Sequence, residues 1–414
     1  MPGPTMFAPQ RRARRGAALT LVFAGVLATG AAAGAFDADP DDGRTPAYGA
    51  PARTAARAVD RNAVDRRAVE AAAEAAAQDG RSGSEAAAEV VSRSGDSWGA
   101  VYSAREYEGF ALALDGAYVG VGLTTRRTPD GRMEAGSVLP GSPAERAGIA
   151  SGDRIVSIDG TDVTGRPVTE VVSLLRGDRP RDDRSAGAAR SGPNGVGTPV
   201  RLVLQRGRRQ WERTLRRVRL VTESVEVART GDGGGPPATL VKVVSFTKGT
   251  GERVREAVAG APHGEGVVLD LRGNSGGLVT EAVTAASAFL DGGLVATYDV
   301  HGRQRALRAQ RGGDTRRPLV VLVDGGTMSA AELLAGALQD RGRAVVVGSW
   351  TFGKGSIQMP SRLPDGSVAE LTVGHYRTPA GRRVDGAGIA PDLAVRGDAE
   401  QRARTVLGGL GGGS

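Results

Sequence analysis

The sequence predicts an α/β domain organised around a parallel strand-helix-strand unit, joined to a small inserted β-domain and a helical amino-terminal region. Leu319 to Val323 and Ala344 to Val347 are short aliphatic, β-branched runs. Residues 329–339 between them place Leu333, Leu334, Ala337 and Leu338 at helical spacing. That order makes the two strands parallel, so their carboxyl ends open on one edge of the sheet. Residues 117–220 consist instead of short β-type runs broken by glycine and proline turns, and residues 52–92 are rich in Ala, Glu and Arg.

In chain order, Arg11-Arg12-Ala13-Arg14-Arg15 precedes an uncharged stretch, residues 16–35, built mostly from Ala, Gly, Leu and Val, before Asp37 restores polarity. This pattern reads residues 1–36 as a signal peptide or a membrane anchor. The basic start and acidic exit put the remainder outside the cytoplasm, secreted or anchored to the outer face of the membrane. Small residues around Ala31 to Ala35 permit cleavage, so both readings stay open. Residues 37–116 follow as a linker and a helical region, with helices over 52–78 and 84–92 whose apolar face is thin.

Composition excludes several classes. The chain has no cysteine, hence no disulfide, thiol nucleophile or thiolate metal site. His263, His301 and His375 form no ligand-spaced cluster, so neither a metal nor another cofactor is expected. The net charge of +8 comes largely from arginine. Residues 201–220 hold eight arginines against Glu212, which reads as a solvated strand face; few aromatics interleave, so nucleic acid is not an expected partner.

Within residues 117–220, Tyr118-Val119-Gly120-Val121-Gly122-Leu123 leads through a turn at 128–131 to Gly141-Ser142-Pro143-Ala144, Ala147-Gly148 and Gly152-Asp153-Arg154-Ile155-Val156-Ser157-Ile158-Asp159-Gly160. A helix over 168–175 and strands over 200–205 and 211–215 follow. This block resembles a PDZ domain. The resemblance implies a reader of peptide ends: backbone N–H groups of Tyr118, Val119, Gly120, Val121 and Gly122 turn towards a terminal carboxylate. Leu123 then opens the edge strand beside which the peptide lies, and the 168–175 helix forms the other wall. A small β-domain without ligand is the plainer alternative. Residues 177–197 form an insert of disordered composition.

Strands over 223–227 and 239–246 and a helix ending at Ala259 open the second domain, residues 221–400. Residues 267–271 are a third apolar run, followed by Arg272-Gly273-Asn274-Ser275-Gly276-Gly277 and a helical pattern over 278–290. If this run joins the same sheet, Ser329, Lys354 and a glycine turn converge on one crevice. A lysine deprotonates a serine only when burial lowers its pKa from about 10.4 towards 7 to 8. Phe352 stands beside Lys354 as the aromatic that would supply such burial. Ser329-x-x-Glu332 is also a capping box, in which the serine merely satisfies helix amides.

Asp270-Leu271-Arg272, Gly276-Gly277, Met328-Ser329-Ala330-Ala331-Glu332, Gln339-Asp340 and Thr351-Phe352-Gly353-Lys354-Gly355-Ser356-x-Gln358 together resemble the carboxyl-terminal processing (tail-specific) peptidases, which use a Ser-Lys dyad. The resemblance runs over residues 90–395 and implies a crotonase-like ββα spiral. It also implies Ser329 as nucleophile, Lys354 as general base and Gln358 as the group orienting the lysine. Gly277 and Ala330 take the oxyanion-hole positions, and Asp270, Arg272 and Glu332 are structural support. Implied substrates are unfolded or tagged exported proteins with free apolar carboxyl termini. The non-enzyme alternative is an inactive scaffold binding such tails.

Two further motifs mislead. Gly273-Asn274-Ser275-Gly276-Gly277 spells the serine loop of chymotrypsin-like enzymes, but no histidine precedes His263 to serve as base. The glycines around Lys354 approach a phosphate-binding loop, yet Gly355 stands where Ser or Thr is required. Residues 401–414 read as a flexible glycine-rich tail.

Overall fold

A computed structural model describes residues 65–128, 130–177, 195–230, 236–300 and 303–411. The export segment, the linker, residues 52–64 of the first helix, most of the 177–197 insert and His301 lie outside them. No described helix is long and apolar enough to cross a membrane.

The central sheet has six strands in the order Val225–Thr230, Ala238–Val243, Gly266–Asp270, Leu319–Val323, Val345–Gly348 and Leu393–Ala394. The first pair is antiparallel and the rest are parallel. Every residue of Gly266–Asp270 and Leu319–Val323 is buried, which explains why these runs show no apolar-polar alternation. Val267, Leu269, Leu319, Val321 and Val323 face the helices Thr250–Ala259, Val279–Ala286 and Ala330–Asp340. Val268, Val320, Leu322 and Val347 face the opposite layer.

That opposite layer corrects one expectation. The carboxyl-terminal segment is a helix, Ala399–Gly411, and Ala403 and Leu407 are buried against the sheet. Glycine content hid an i, i+4 apolar pair.

A second sheet runs Ala100–Tyr102, Val368–Arg377, Leu294–Val300, Arg303–Arg308, and Ser356–Arg362 also pairs with Val368–Arg377. The strand Ala100–Tyr102 precedes the inserted β-domain in sequence. The peptidase-like domain is therefore discontinuous, rather than confined to residues 221–400. The helices Arg66–Gln78 and Gly83–Arg93 cover this sheet by packing Val69, Ala73, Ala87 and Val91 on Leu363, Ala369 and Leu371. Asp65 and Ser82 cap them by accepting from the amides of Arg67 and Glu85.

The β-domain orders its strands Leu123–Arg127, Met133–Val138, Arg154–Ile158, Pro199–Arg206 and Arg209–Arg216, with the helix Val168–Arg176 packed on the same core. Ala117–Gly120 pairs antiparallel with Val218–Val221, so the chain enters and leaves through one two-stranded ladder. The stretch expected to form a glycine loop is thus mostly strand: Tyr118, Val119 and Gly120 pair with Leu220, Arg219 and Val218, and only Val121 and Gly122 turn the chain.

Candidate active site

Parallel packing delivers three loops to one edge of the central sheet, and hydrogen bonds tie them together. Met328 N–H donates to Asn274 O at 2.9 Å, Thr327 Oγ1 donates to Leu271 O at 2.9 Å, and Gly273 N–H donates to Asp324 Oδ1 at 2.9 Å. The buried Asn274 side chain shapes the turn itself, donating to Val243 O and accepting from Gly276 N–H. At Gly277, where φ is +141°, a Cβ would stand 2.1 Å from Phe246 O, so no other residue fits.

Ser329 follows with φ 54° and ψ −114°, a left-handed conformation that a side-chain-bearing residue seldom adopts. Such strain persists only when its surroundings enforce it. Glu332 does much of this. Its buried carboxylate accepts from the amides of Ser329 at 2.8 Å, Gly353 at 2.7 Å and Lys354 at 2.8 Å, and from Thr351 Oγ1 at 2.5 Å. Burial raises the Glu332 carboxyl above its ordinary range, opposed by these four hydrogen bonds. Tyr376 clamps the same two residues from the other side, its hydroxyl placed 2.8 Å from Ser329 O and 3.0 Å from Lys354 O. One carboxylate and one phenol therefore fix the backbones of both predicted dyad residues.

Lys354 is 0% exposed. Burial lowers its pKa to about 8, against the opposing pull of Glu370, Asp96, Glu332 and Asp385. Roughly one molecule in ten then carries a neutral lysine at pH 7. The burying aromatic is Trp98, whose ring centroid lies 4.7 Å from Lys354 Nζ. Phe352, expected in that role, is 49% exposed and packs edge-on against Trp98 instead. Asp96 holds Trp98 in place by accepting from the amides of Trp98 and Gly99, and it also accepts from Thr372 N–H and Oγ1, both at 2.8 Å.

Gln358 is buried, and its Nε2 donates to Ser356 Oγ at 2.9 Å and Thr372 Oγ1 at 3.1 Å. Ala330 occupies the first position of its helix, where an amide has no intrahelical carbonyl to bond. Asp270 and Arg272 form a two-point ion pair beneath the glycine turn, at 2.8 and 2.6 Å. No group of His, Asp and Glu among the described residues is arranged to hold a metal.

Ser329, Lys354, Gln358, Gly277 and Ala330 thus belong to one connected cluster. Tyr118 to Leu123 belong to the β-domain. There Leu123–Arg127 is an edge strand, Val121 O and Gly122 O accept from Ala144 and Leu139 amides, and Arg176 lies 5.6 Å above the Tyr118 ring. Asp96, Trp98, Glu370, Thr372 and Tyr376 were not singled out from sequence. Their contribution depends on the pairing of Ala100–Tyr102 with Val368–Arg377, which no local pattern announces.

The fold is thus a parallel-sheet domain presenting a strained serine and a buried lysine on one edge, with a small β-domain inserted ahead of it. Residues 238–395 match the model of peptidase family S41 and residues 134–182 that of the PDZ domain. The chain thus carries a peptidase family S41 domain and a PDZ domain. It is 35% identical over 312 residues to the carboxyl-terminal-processing peptidase 3, chloroplastic, of Arabidopsis thaliana, a match covering 73% of this chain and 58% of that one. To the carboxy-terminal processing protease CtpA of Bacillus subtilis it is 31% identical over 289 residues, covering 69% and 57%. The chain spans somewhat more than half the length of these curated relatives. Among solved structures, a photosystem II D1 C-terminal processing protease aligns at 28% identity over 79% of this chain and 86% of that one, with a TM-score of 0.45.

Proposed function

We propose that this protein is an exported serine endopeptidase of the carboxyl-terminal processing type, cutting unfolded or tagged proteins by a Ser329-Lys354 dyad. The observation that carries the reading is the pairing of a buried lysine, pKa about 8, with a strained serine held by the same carboxylate. Neutral Lys354 takes the hydroxyl proton as Ser329 Oγ attacks the scissile carbonyl carbon. The carbonyl oxygen gathers negative charge, which the amides of Gly277 and Ala330 stabilise. Collapse breaks the C–N bond, the lysine ammonium returns its proton to the leaving amine, and water hydrolyses the acyl-enzyme by the same route reversed. Gln358 orients the lysine. Strand-helix alternation through residues 238–348 supports the crotonase-like spiral.

The edge strand Leu123–Arg127 and the turn before it support recognition of free carboxyl termini by the PDZ domain. The basic, then apolar, amino-terminal segment supports export and membrane association. Mass-spectrometric mapping of cleavage in a denatured protein tests the reading: the wild-type chain yields products and Ser329→Ala yields none. Ser275→Ala keeps substantial activity. Products from Ser329→Ala, or their loss in Ser275→Ala, would overturn the assignment, and a wild type that binds tails without cutting them would leave a scaffold.

A further inference from the structure

Glu370, on the strand Val368–Arg377, is 0% exposed, and neither of its carboxylate oxygens has a hydrogen-bond partner among the described residues. A carboxyl group buried without donors is costly, and one retained in a folded chain calls for a reason. Its place in the sheet supplies one. Glu370 lies opposite Ala100 on one side and Pro360 on the other, while Thr372 lies opposite Gln358 and Val368 opposite Tyr102. Side chains two apart on a strand, and those directly opposite, share a face. Glu370 therefore shares its face with the Gln358-Thr372 pair that adjoins Asp96 and the Lys354 pocket.

The charges around this pocket are unevenly engaged. Glu332 accepts four hydrogen bonds; Asp96 accepts from Thr372, Trp98 and Gly99; Asp385 accepts from Gly355 N–H and pairs with His375. Among the carboxylates that favour the charged form of Lys354, Glu370 acts most strongly. In return, Lys354 is the charge that opposes the burial raising Glu370 to about 7. Tyr102, Tyr107, Glu106 and Arg362 complete the ionisable surroundings on the adjoining strands and helix.

We propose that Glu370 is a positioning residue of the dyad, the buried counter-charge that stabilises the Lys354 ammonium formed when the Ser329 proton is transferred. This rests on the Ser-Lys reading above. Along the reaction, the Ser329 O–H bond breaks, the proton joins the Lys354 Nζ lone pair, and the ammonium later passes that proton to the leaving amine. Above its own titration at about 7, Glu370 keeps its charge throughout and neither gains nor loses a proton in the step. Its carboxylate acts on the state in which the lysine is cationic, which includes the transition state for acylation.

The chain has three lysines, Lys242, Lys248 and Lys354, so selective 13Cε/15Nζ-lysine labelling gives three signals, two of them internal references. In Glu370→Gln, the Lys354 midpoint moves lower by about one pH unit while Lys242 and Lys248 stay in place. On a denatured protein substrate at about pH 9.5, where Lys354 is neutral in both proteins, kcat falls by up to about tenfold with KM unchanged, and Glu370→Asp recovers part of both effects. Should Glu370→Gln not fold, Glu370→Met gives the same readout at similar length. An unmoved Lys354 midpoint with unchanged kcat, in a wild type whose cleavage depends on Ser329, overturns the role of Glu370 alone. A wild type that cleaves nothing overturns the Ser-Lys reading, and this proposal with it.

Discussion

Replacing Glu332 by Gln tests how the two halves of the proposed dyad are kept in register. The wild-type carboxylate accepts on Oε1 from Thr351 Oγ1 and Gly353 N–H, and on Oε2 from Ser329 N–H and Lys354 N–H. Glutamine keeps one accepting oxygen and turns an –NH2 towards the other pair of donors. Two hydrogen bonds to a charged acceptor are lost, each contributing about 1.5–3 kcal/mol, so the loss is roughly 3–6 kcal/mol before relief from burying the charge offsets part of it. If the –NH2 faces Ser329 and Lys354, their loops separate, and a displacement of about 1 Å in a catalytic group is enough for a hundredfold loss of rate. Urea denaturation and single-turnover cleavage read the two effects separately. The expected variant is less stable by at least about 2 kcal/mol and slower by about a hundredfold. A Gln variant as stable and as fast as wild type would show that Glu332 neither staples the loops nor sustains the φ of Ser329.

Lys354→Arg should be nearly as inactive as Lys354→Ala, since arginine keeps the charge but cannot release its proton in a protein; turnover in the Arg variant would require another base. The pH profile of kcat/KM should rise as pH increases through about 8, where burial places the Lys354 titration, and a flat profile between pH 6 and about 9 would refute that role. Because the folded pKa lies below the unfolded one, this lysine also makes folding less favourable below about pH 8, with stability regained as pH rises towards the unfolded value of about 10.4. Lys354→Met should flatten that part of the stability curve in denaturant titrations. Amidating a substrate's carboxyl terminus should lower cleavage efficiency by about ten- to a hundredfold through loss of a charge-assisted acceptor, whereas equal cutting of free and amidated substrates would shift the PDZ domain to a gating role.

Much of the central sheet was legible because its signals are local. The runs at 319–323 and 344–347 and the Leu333, Leu334, Ala337, Leu338 spacing predicted a parallel unit, and its register joins Val320 to Val345 in parallel. Phe352 was misjudged for a physical reason: proximity in sequence to Lys354 says nothing about which ring covers it, and the covering ring comes from Trp98, far upstream. Glycine content similarly obscured the Ala399–Gly411 helix, and the strand character of Tyr118 to Gly120 depended on a partner about one hundred residues away. Nothing in the local sequence distinguishes Glu370 from an ordinary exposed polar position. In the folded sheet it is flanked by Ala100 on one side and Pro360 on the other and is 0% exposed.

Asp96 and Thr372, the pair that fastens the tryptophan-bearing segment to the wall of the lysine pocket, are 276 residues apart in the chain. During synthesis, Trp98 emerges early and the strand Val368–Arg377 late, with the whole PDZ domain made between them. A nascent chain that has not reached Val368 has a serine and a lysine but lacks the wall that desolvates the lysine, which stays protonated at neutral pH in water. On the Ser-Lys reading proposed above, the order in which the segments are translated withholds a competent base until residues 368–377 have been made, and a chain short of them is unarmed towards its neighbours.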